Sequence, residues 1–199
     1  MPRAARCAAL AGGLIQLKLD TTRRCRSGNN CCLSMGMIIK HPLPLSGFDY
    51  IGRHSYSLTW CCDYRKPQFN QADRVELVLK QFLRACAEAE FELFLYCFMP
   101  DHVHKVVRGT ACTSDGRRYI KLAKQYSGYY FSQAYQQKLW QRYGHDHWLE
   151  DDAAARAVVR YIIDNPVKAG LVARVEDYPY IGSRTKSLEE LIEWSKKEQ

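Results

Sequence analysis

The stretch that decides the fold of this chain is Phe91-Glu-Leu-Phe-Leu-Tyr-Cys-Phe-Met-Pro-Asp-His-Val-His-Lys-Val-Val-Arg-Gly109. Its first half is short, apolar and rich in aromatic residues, which favours a β-strand over a helix. The Met-Pro-Asp segment predicts a turn, because proline fixes φ and lacks an N–H donor. A second strand is expected from His102 to Arg108. Since side chains alternate along a strand, His102 and His104 should lie on one face, where they can share a metal ion.

The composition is that of a globular protein. The chain has 199 residues, enough to bury a core in one domain, and 47% of them are hydrophobic. No apolar run has the length of a membrane span. The nine cysteines are odd in number and irregular in spacing, so they do not suggest a disulfide framework or a zinc site. We therefore expect reduced thiols and a cytoplasmic location without a membrane partner.

Positive charge is concentrated at the start of the chain. The net charge is +8, and residues 1–36 hold six basic residues and one acidic residue. The rest of the chain is only mildly basic, so binding of nucleic acid has to be argued locally. Residues 1–36 lack periodicity, and we interpret them as a flexible basic extension; translation from an upstream start site is the alternative. We expect the folded domain at 37–183 and a charged C-terminal helix at 184–199.

Hydrophobic periodicity predicts the other elements. A strand is expected over residues 53–62, with Tyr56, Leu58 and Trp60 on one side, and another within 139–149, interrupted near Gly144. Apolar residues at spacings of three and four predict helices over 71–89 and 115–135. The expected helix boundaries are an Asn70 cap, a cap within Thr113-Ser114-Asp115, a third helix from Asp151-Asp152 to Asn165-Pro166, and a Ser187 cap.

The order of elements predicts the fold class. Strand–helix–strand–strand–helix–strand is the split order of a ferredoxin-like or RRM-like α+β fold with an antiparallel sheet. The helix at 151–165 follows that unit. We expect the helices to pack on one face of the sheet and leave the other face free.

Tyr161 and Asn165 extend the possible chemistry of the histidine pair. They are four residues apart, so they lie on one face of the third helix, one turn from each other. An asparagine carbonyl oxygen is a suitable ligand for magnesium or manganese beside imidazoles. A tyrosine one turn away would bring its hydroxyl near the group that such a metal polarises.

Four segments together resemble the REP-associated tyrosine transposases, which are single-tyrosine transposases within the HUH (His-hydrophobic-His) endonuclease superfamily. The resemblance covers roughly residues 47–183. The His-Val-His triplet alone is a weak motif, whereas its combination with the later segments is specific. The segments are Met99-Pro-Asp-His-Val-His104, Leu139-Trp-Gln141, Tyr161-Ile-Ile-Asp-Asn-Pro-Val-Lys-Ala-Gly-Leu-Val172 and Asp177-Tyr-Pro-Tyr180.

The resemblance implies metal-dependent cleavage and rejoining of single-stranded DNA beside small hairpins. It implies that His102, His104 and Asn165 bind Mg²⁺ or Mn²⁺, and that Tyr161 is the nucleophile that forms a 5′-phosphotyrosine. We expect a monomer, with a dimer as the alternative. The alternative functions are a domesticated hairpin-DNA-binding protein with weak or no cleavage, and a replication-initiation-type nickase. The expected DNA contacts are Arg117, Lys121, Lys124, His147 and Lys168. For the first three, which form one basic stripe on a helix, the alternative is a solvated helix face.

Three features of the sequence differ from this interpretation or offer a rival to it. Lys105 shares the strand face of Val103, so it should extend to the sheet edge or pair with an acid. His145-Asp146-His147 is a second His-x-His motif, but its charged central residue argues against a primary metal site. Tyr126, Tyr129 and Tyr130 are rival nucleophiles, although none has a ligand-type residue four positions later.

Overall fold

The computed structural model describes residues 48–197. The predicted extension at 1–36 lies outside this range, so its interpretation stays a prediction. In residues 48–197, no helix combines the length and apolar character needed to cross a membrane. Cys62, Cys86, Cys97 and Cys112 are free thiols, and the expected reduced state stays a prediction.

In the part of the chain that the structure describes, five antiparallel strands form one sheet in the order β4-β1-β3-β2-β5. The strand that carries the histidine pair, β3, is central and is paired on both sides. The strands are β1 (Ser55–Cys61), β2 (Phe91–Met99), β3 (His102–Gly109), β4 (His145–Leu149) and β5 (Ile181–Gly182).

The strand predicted within 139–149 is shorter than expected. Trp140 makes only an isolated bridge with Cys62, and β4 begins at His145. Gly144 packs directly against the Trp60 indole, where a Cβ would lie 2.4 Å from Cδ1. The chain therefore passes over this ring before it joins the sheet.

Four α-helices pack on the sheet within residues 48–197, and their boundaries confirm three of the expected caps. Asp115 accepts a hydrogen bond from Arg118 N, Asp151 accepts one from Ala154 N, and Ser187 forms a capping box with Glu190. The Asn70 cap is wrong, because Gln71 holds that position without a side-chain hydrogen bond. The helices are α1 (Ala72–Ala89), α2 (Gly116–Tyr135), α3 (Asp152–Lys168) and α4 (Leu188–Lys196).

The prediction that helix α3 ends at Asn165-Pro166 is wrong. It continues through Pro166 to Lys168, and the backbone bonds from Ala169 N to Asn165 O and from Leu171 N to Pro166 O extend the winding. Pro166 is itself buried, so apolar packing offsets the hydrogen bond that its ring nitrogen cannot donate. As a result, Asn165 lies inside the helix, one regular turn after Tyr161.

Helices cover both faces of the sheet, which corrects the expectation of a free face. The α+β class and the predicted element order are confirmed, and α1 and α2 pack on the face of Tyr56, Leu58 and Trp60. Helices α3 and α4 pack on the opposite face. The reason lies in β2, which is buried along almost its whole length and therefore needs apolar cover on both sides. The residues buried on the second face include Phe94, Leu95, Met99, Val106, Val159, Ile162 and Leu191.

Lys105 behaves differently from either expectation. Its side chain has no exposed surface, and its Nζ lies 3.3 Å from the Trp60 ring centroid and 3.5 Å from that of Phe82. Within residues 48–197 this ammonium group makes no hydrogen bond or ion pair. Burial lowers the pKa of Lys105 well below its ordinary value. Strand alternation nevertheless holds as predicted, because Lys105 points toward α1 and away from the histidine face.

Candidate active site

The two histidines of β3 lie side by side with their ring nitrogens facing each other. Both side chains are buried, and the distance from His102 Nε2 to His104 Nε2 is 3.0 Å. The Nδ1 atom of each ring, on the side away from the other histidine, makes a hydrogen bond to a neighbouring side chain. His102 Nδ1 lies 2.6 Å from Asp101 Oδ1, and His104 Nδ1 lies 2.8 Å from Thr59 Oγ1.

These hydrogen bonds determine what the facing nitrogens can do. A carboxylate can only accept, so His102 donates through Nδ1 to Asp101, and the neutral form of this ring presents a lone pair at Nε2. The Thr59 hydroxyl can accept from His104 Nδ1 in the same way. Burial, with the charges of His102 and Arg65, lowers the pKa of His104 well below its ordinary value, which favours the neutral ring. Neutral imidazoles whose second nitrogen is held by an oxygen are the usual state of metal-binding histidines.

Asp101 is itself held in place. Arg65 Nε lies 2.8 Å from Asp101 Oδ2, so the carboxylate bridges the guanidinium group and the His102 ring. Burial alone would raise the pKa of Asp101, but the hydrogen bond and charge of His102, together with the Arg65 charge, outweigh it and lower that pKa below its ordinary value. The carboxylate is therefore ionised at neutral pH and orients His102.

Tyr161 approaches the histidine pair from α3. Its ring centroid lies 5.9 Å from that of His104, with the two planes nearly perpendicular at 83°. Lys168 Nζ lies 5.8 Å from the Tyr161 ring centroid and 3.0 Å from Asp164 Oδ2. The structure therefore brings three predicted residues to Tyr161 or its immediate surroundings: His102, His104 and Lys168.

Asn165 suits the role of a further ligand. It is buried one turn after Tyr161, and its Nδ2 finds no hydrogen-bond partner among residues 48–197. A half-turn of the side chain exchanges the amide nitrogen and oxygen, so this position can offer a carbonyl oxygen. Residues 48–197 contain no group of three or more His, Cys, Asp or Glu side chains that could hold a metal. Two facing imidazoles and an unsatisfied buried carboxamide fit a divalent ion as a mixed nitrogen and oxygen set.

The other predicted DNA contacts lie on α2 and β4. Arg117, Lys121 and Lys124 are on α2, across the sheet from Tyr161. Arg117 lies over the Tyr50 ring at 4.5 Å, and Lys124 Nζ donates to the Arg142 carbonyl oxygen at 3.3 Å. His147 is on β4, opposite Ser57, and burial lowers its pKa despite the opposing effect of Glu150. Their roles in DNA binding stay predictions.

Sequence reasoning missed three neighbours of the histidine pair: Thr59, Arg65 and His145. Thr59 is directly opposite His104 on one side and His145 on the other, so the three side chains share one sheet face. The charge of His145 contributes to the lowered pKa of His104. The second His-x-His motif therefore places its first histidine, not His147, in line with His104. This alignment depends on the register of β1 with β3 and with β4, so the sequence of a single strand does not show it.

The described residues thus form an antiparallel α+β fold in which a buried histidine pair lies beside a tyrosine of α3. Comparison with protein families gives a specific assignment. The family described as "Transposase IS200 like" matches residues 51–165, more than half of the chain, and the chain belongs to that family. This confirms the resemblance that the motifs predicted.

A named relative and a solved structure are also similar to this chain. A REP-associated tyrosine transposase of Haemophilus influenzae is 29% identical over 112 residues, and the match covers 50% of this chain and 62% of that protein. The chain thus spans less than two thirds of that relative. The structure of a REP-associated tyrosine transposase bound to a REP hairpin aligns with a TM-score of 0.58 and 22% identity. The alignment covers 67% of this chain and 79% of the chain in that structure, and it supports the fold.

Proposed function

We propose that this protein is a metal-dependent transposase that cleaves and rejoins single-stranded DNA beside hairpin repeats, through a 5′-phosphotyrosine at Tyr161. One observation carries the proposal: the Tyr161 ring lies 5.9 Å from His104, whose Nε2 faces that of His102 at 3.0 Å. A phenol beside two imidazoles supports the proposal of a tyrosine nucleophile at a metal site. The family match and the hairpin bound to the similar solved structure support the choice of substrate.

In the proposed reaction, the Tyr161 oxygen attacks the phosphorus of one phosphodiester. A bond forms from the tyrosine oxygen to phosphorus, and the bond from phosphorus to the 3′ oxygen breaks. The phenol proton ends on the 3′ oxygen, which leaves as a hydroxyl group. The bond energy is kept in the phosphotyrosine, so a 3′-hydroxyl of the same or another strand can reverse the step.

His102, His104 and Asn165 would hold Mg²⁺ or Mn²⁺. When bound, this ion would neutralise charge on the attacked phosphate and favour the ionised phenol. Asp101 and Thr59 keep the two rings in a ligand orientation through their hydrogen bonds at 2.6 and 2.8 Å. Lys168, near the Tyr161 ring, adds positive charge where a phosphate would lie.

The positions of the other candidate tyrosines favour Tyr161. Tyr126, Tyr129 and Tyr130 lie on α2, on the sheet face that does not carry the histidines. The Tyr126 hydroxyl also donates to Glu88 at 2.7 Å, which raises its pKa and makes it a poorer nucleophile. None of the three shares a face with His102 and His104.

The decisive experiment compares wild type with Tyr161→Phe on hairpin-flanked single-stranded DNA and Mn²⁺. We expect wild type to give a nick and a covalent protein–DNA adduct on a denaturing gel. Tyr161→Phe removes one oxygen and keeps the ring, so it should lose both while it keeps its melting temperature and hairpin binding. Residue-level mass spectrometry should place the adduct on Tyr161.

Three controls separate the alternatives. Tyr129→Phe should cleave as wild type does, since Tyr129 is remote from the histidines. His104→Ala should bind hairpins without cleaving, because phosphate contacts elsewhere supply the affinity. Hairpin binding by wild type without any nick or adduct would instead support a domesticated binding protein. Nicking that persists in chelator, or in Tyr161→Phe, would contradict the proposed chemistry.

A further inference from the structure

The loop after β1, whose Arg65 pairs with Asp101, carries an exposed aromatic ring. Tyr64 is 84% exposed, the largest exposed fraction among the large hydrophobic side chains of residues 48–197. Single exposed aromatic residues are common on protein surfaces, so exposure alone indicates little. The backbone beneath this ring provides the second observation.

Tyr64 and Arg65 have left-handed backbone conformations, with φ of +53° and +56°. Across residues 48–197, the other non-glycine residues with positive φ are Glu90 and Gln136. Those two end α1 and α2, where a left-handed residue is the usual helix termination. Tyr64 and Arg65 end no long helix. Two consecutive strained residues persist only where their surroundings fix them, and such strain clusters at functional sites.

Several contacts fix this loop to the turn that precedes His102. Arg65 Nε lies 2.8 Å from Asp101 Oδ2, and Cys62 N donates to the Asp101 carbonyl oxygen at 2.9 Å. On the other side, Asp63 N donates to the Leu139 carbonyl oxygen at 2.7 Å, and Lys138 Nζ pairs with Asp63 at 2.9 Å. The same Asp101 orients His102. The Tyr64 backbone is therefore held by the group that positions one of the proposed metal ligands.

The charges around the ring suit a polyanion. Lys66 is exposed, and the Lys138 side chain is 66% exposed. Arg65 and Lys138 pair with Asp101 and Asp63, so these four residues together with Lys66 keep one net positive charge beside Tyr64 in the loop. Positive side chains that follow a phosphate backbone, interleaved with aromatic rings that stack on bases, are the common features of single-strand binding sites.

We propose that Tyr64 is a base-stacking residue, whose ring takes a nucleobase of the single strand that reaches His102 and His104. This inference rests on the proposed function, because it takes single-stranded DNA as the ligand. Stacking is tolerant of sequence, since every base has a π face. Tyr64 would therefore fix the position of the strand relative to the scissile phosphate, without choosing a sequence by hydrogen bonds.

The test compares two probes of equal length and equal phosphate number. One is a fluorescein-labelled oligothymidylate of about 20 nucleotides, longer than the site of a typical single-strand binding module, and the other is the matching abasic oligomer. Binding is measured in the Tyr161→Phe background, which prevents cleavage. Tyr64→Asn removes the ring with a residue that tolerates the left-handed conformation, and Tyr64→Phe keeps the ring. Tyr129→Asn is the matched control, because Tyr129 is 58% exposed and lies on α2.

We expect Tyr64→Asn to weaken oligothymidylate binding by roughly 5- to 150-fold, the value of one lost stack. Its affinity for the abasic oligomer should not change, and the salt dependence on oligothymidylate should keep its slope because no phosphate contact is lost. Tyr64→Phe and Tyr129→Asn should stay within about twofold of the parent on both probes. The melting temperature of Tyr64→Asn should match that of the parent.

Several results would overturn the inference. These are an unchanged affinity of Tyr64→Asn for oligothymidylate, an equal loss on both probes, or a parent protein that does not distinguish the probes. The proposed function is judged separately, by the adduct on Tyr161 in the wild type. An adduct with Tyr64-independent binding would refute only the stacking role, and Tyr64-dependent binding without an adduct would refute only the cleavage.

Discussion

Replacing Lys105 with methionine should make the protein more stable. The lysine is fully buried, and its Nζ lies within 3.5 Å of the centroids of two aromatic rings, those of Trp60 and Phe82. It finds no hydrogen-bond partner in the described part of the chain. Methionine has a similar length, is unbranched and carries no charge, so it can fill the same space.

Two opposing effects set the magnitude. A desolvated cation over an aromatic face gains about 2 kcal/mol or somewhat more. Removing an ammonium ion from water costs several kcal/mol even after the protein relaxes. Desolvation wins, which agrees with the pKa of Lys105 being well below its ordinary value. Replacement of buried charges by apolar residues of similar volume typically gains about 1–4 kcal/mol. For a chain of this size, that gain corresponds to a rise in melting temperature between about 2 and 16 °C.

The stability that Lys105→Met gains over the wild type should decrease as pH rises. Because the folded-state pKa of Lys105 is lowered, the unfolded chain binds more protons between the folded and ordinary pKa values of this lysine. The free energy of unfolding of the wild type therefore rises with pH in that window, by about 1.4 kcal/mol per pH unit. Lys105→Met lacks this group, so its advantage should be largest in acid and shrink as pH rises toward the ordinary lysine value.

Urea denaturation of both proteins at about pH 6 and about pH 9 measures this difference. Lys121→Met, at an exposed position of α2, is the control and should change stability by no more than about 0.5 kcal/mol. If Lys105→Met is less stable than wild type, or if its advantage grows with pH, the aromatic cage stabilises the charged lysine and the reasoning is wrong.

Other substitutions test other parts of the structure. Thr59→Val should lower Mn²⁺ affinity by about 10- to 100-fold in calorimetry, because it removes the oxygen that orients His104, while Thr59→Ser should preserve it; equal affinities for all three proteins would show that Thr59 does not support a ligand. Gly144→Ala should destabilise the fold by about 1–3 kcal/mol, since its Cβ would lie 2.4 Å from Trp60 Cδ1. A wild-type urea midpoint for that variant would refute the close packing. Leu191→Ala should cost about 2–5 kcal/mol, because Leu191 is fully buried, whereas a peripheral α4 would tolerate the change.

The sequence predicted the parts of the site that depend on local periodicity. The two-residue repeat of a strand placed His102 and His104 on one face, and the helical repeat placed Tyr161 and Asn165 one turn apart. The contact between the pairs, His104 with Tyr161, is long-range and was inferred from the family resemblance. Thr59 was missed because its approach to His104 depends on the register between β1 and β3.

The errors in the predicted fold also have physical causes. Lys105 was expected to extend to the sheet edge or to pair with an acid, because the strand pattern shows only which face it occupies. The rings around it come from three elements, with Trp60 on β1, Phe82 on α1 and Tyr119 on α2, and no local pattern reports their convergence. Pro166 was expected to end α3, since propensity favours that outcome. Pro166 is buried, and its packing overrides the propensity, as tertiary contacts often do.

The central position of β3 has a consequence for how the two halves of the site come apart. Backbone hydrogen bonds to β1 and β2 hold His102 and His104 from both sides, so their exposure requires the sheet itself to separate. Tyr161 is held differently, because α3 meets the sheet through side chains and can move away while every ladder bond stays intact. Amide hydrogen exchange should accordingly be slowest along β3 and faster in α3. The histidines form a fixed half of the site, and the tyrosine belongs to the half that local opening can withdraw.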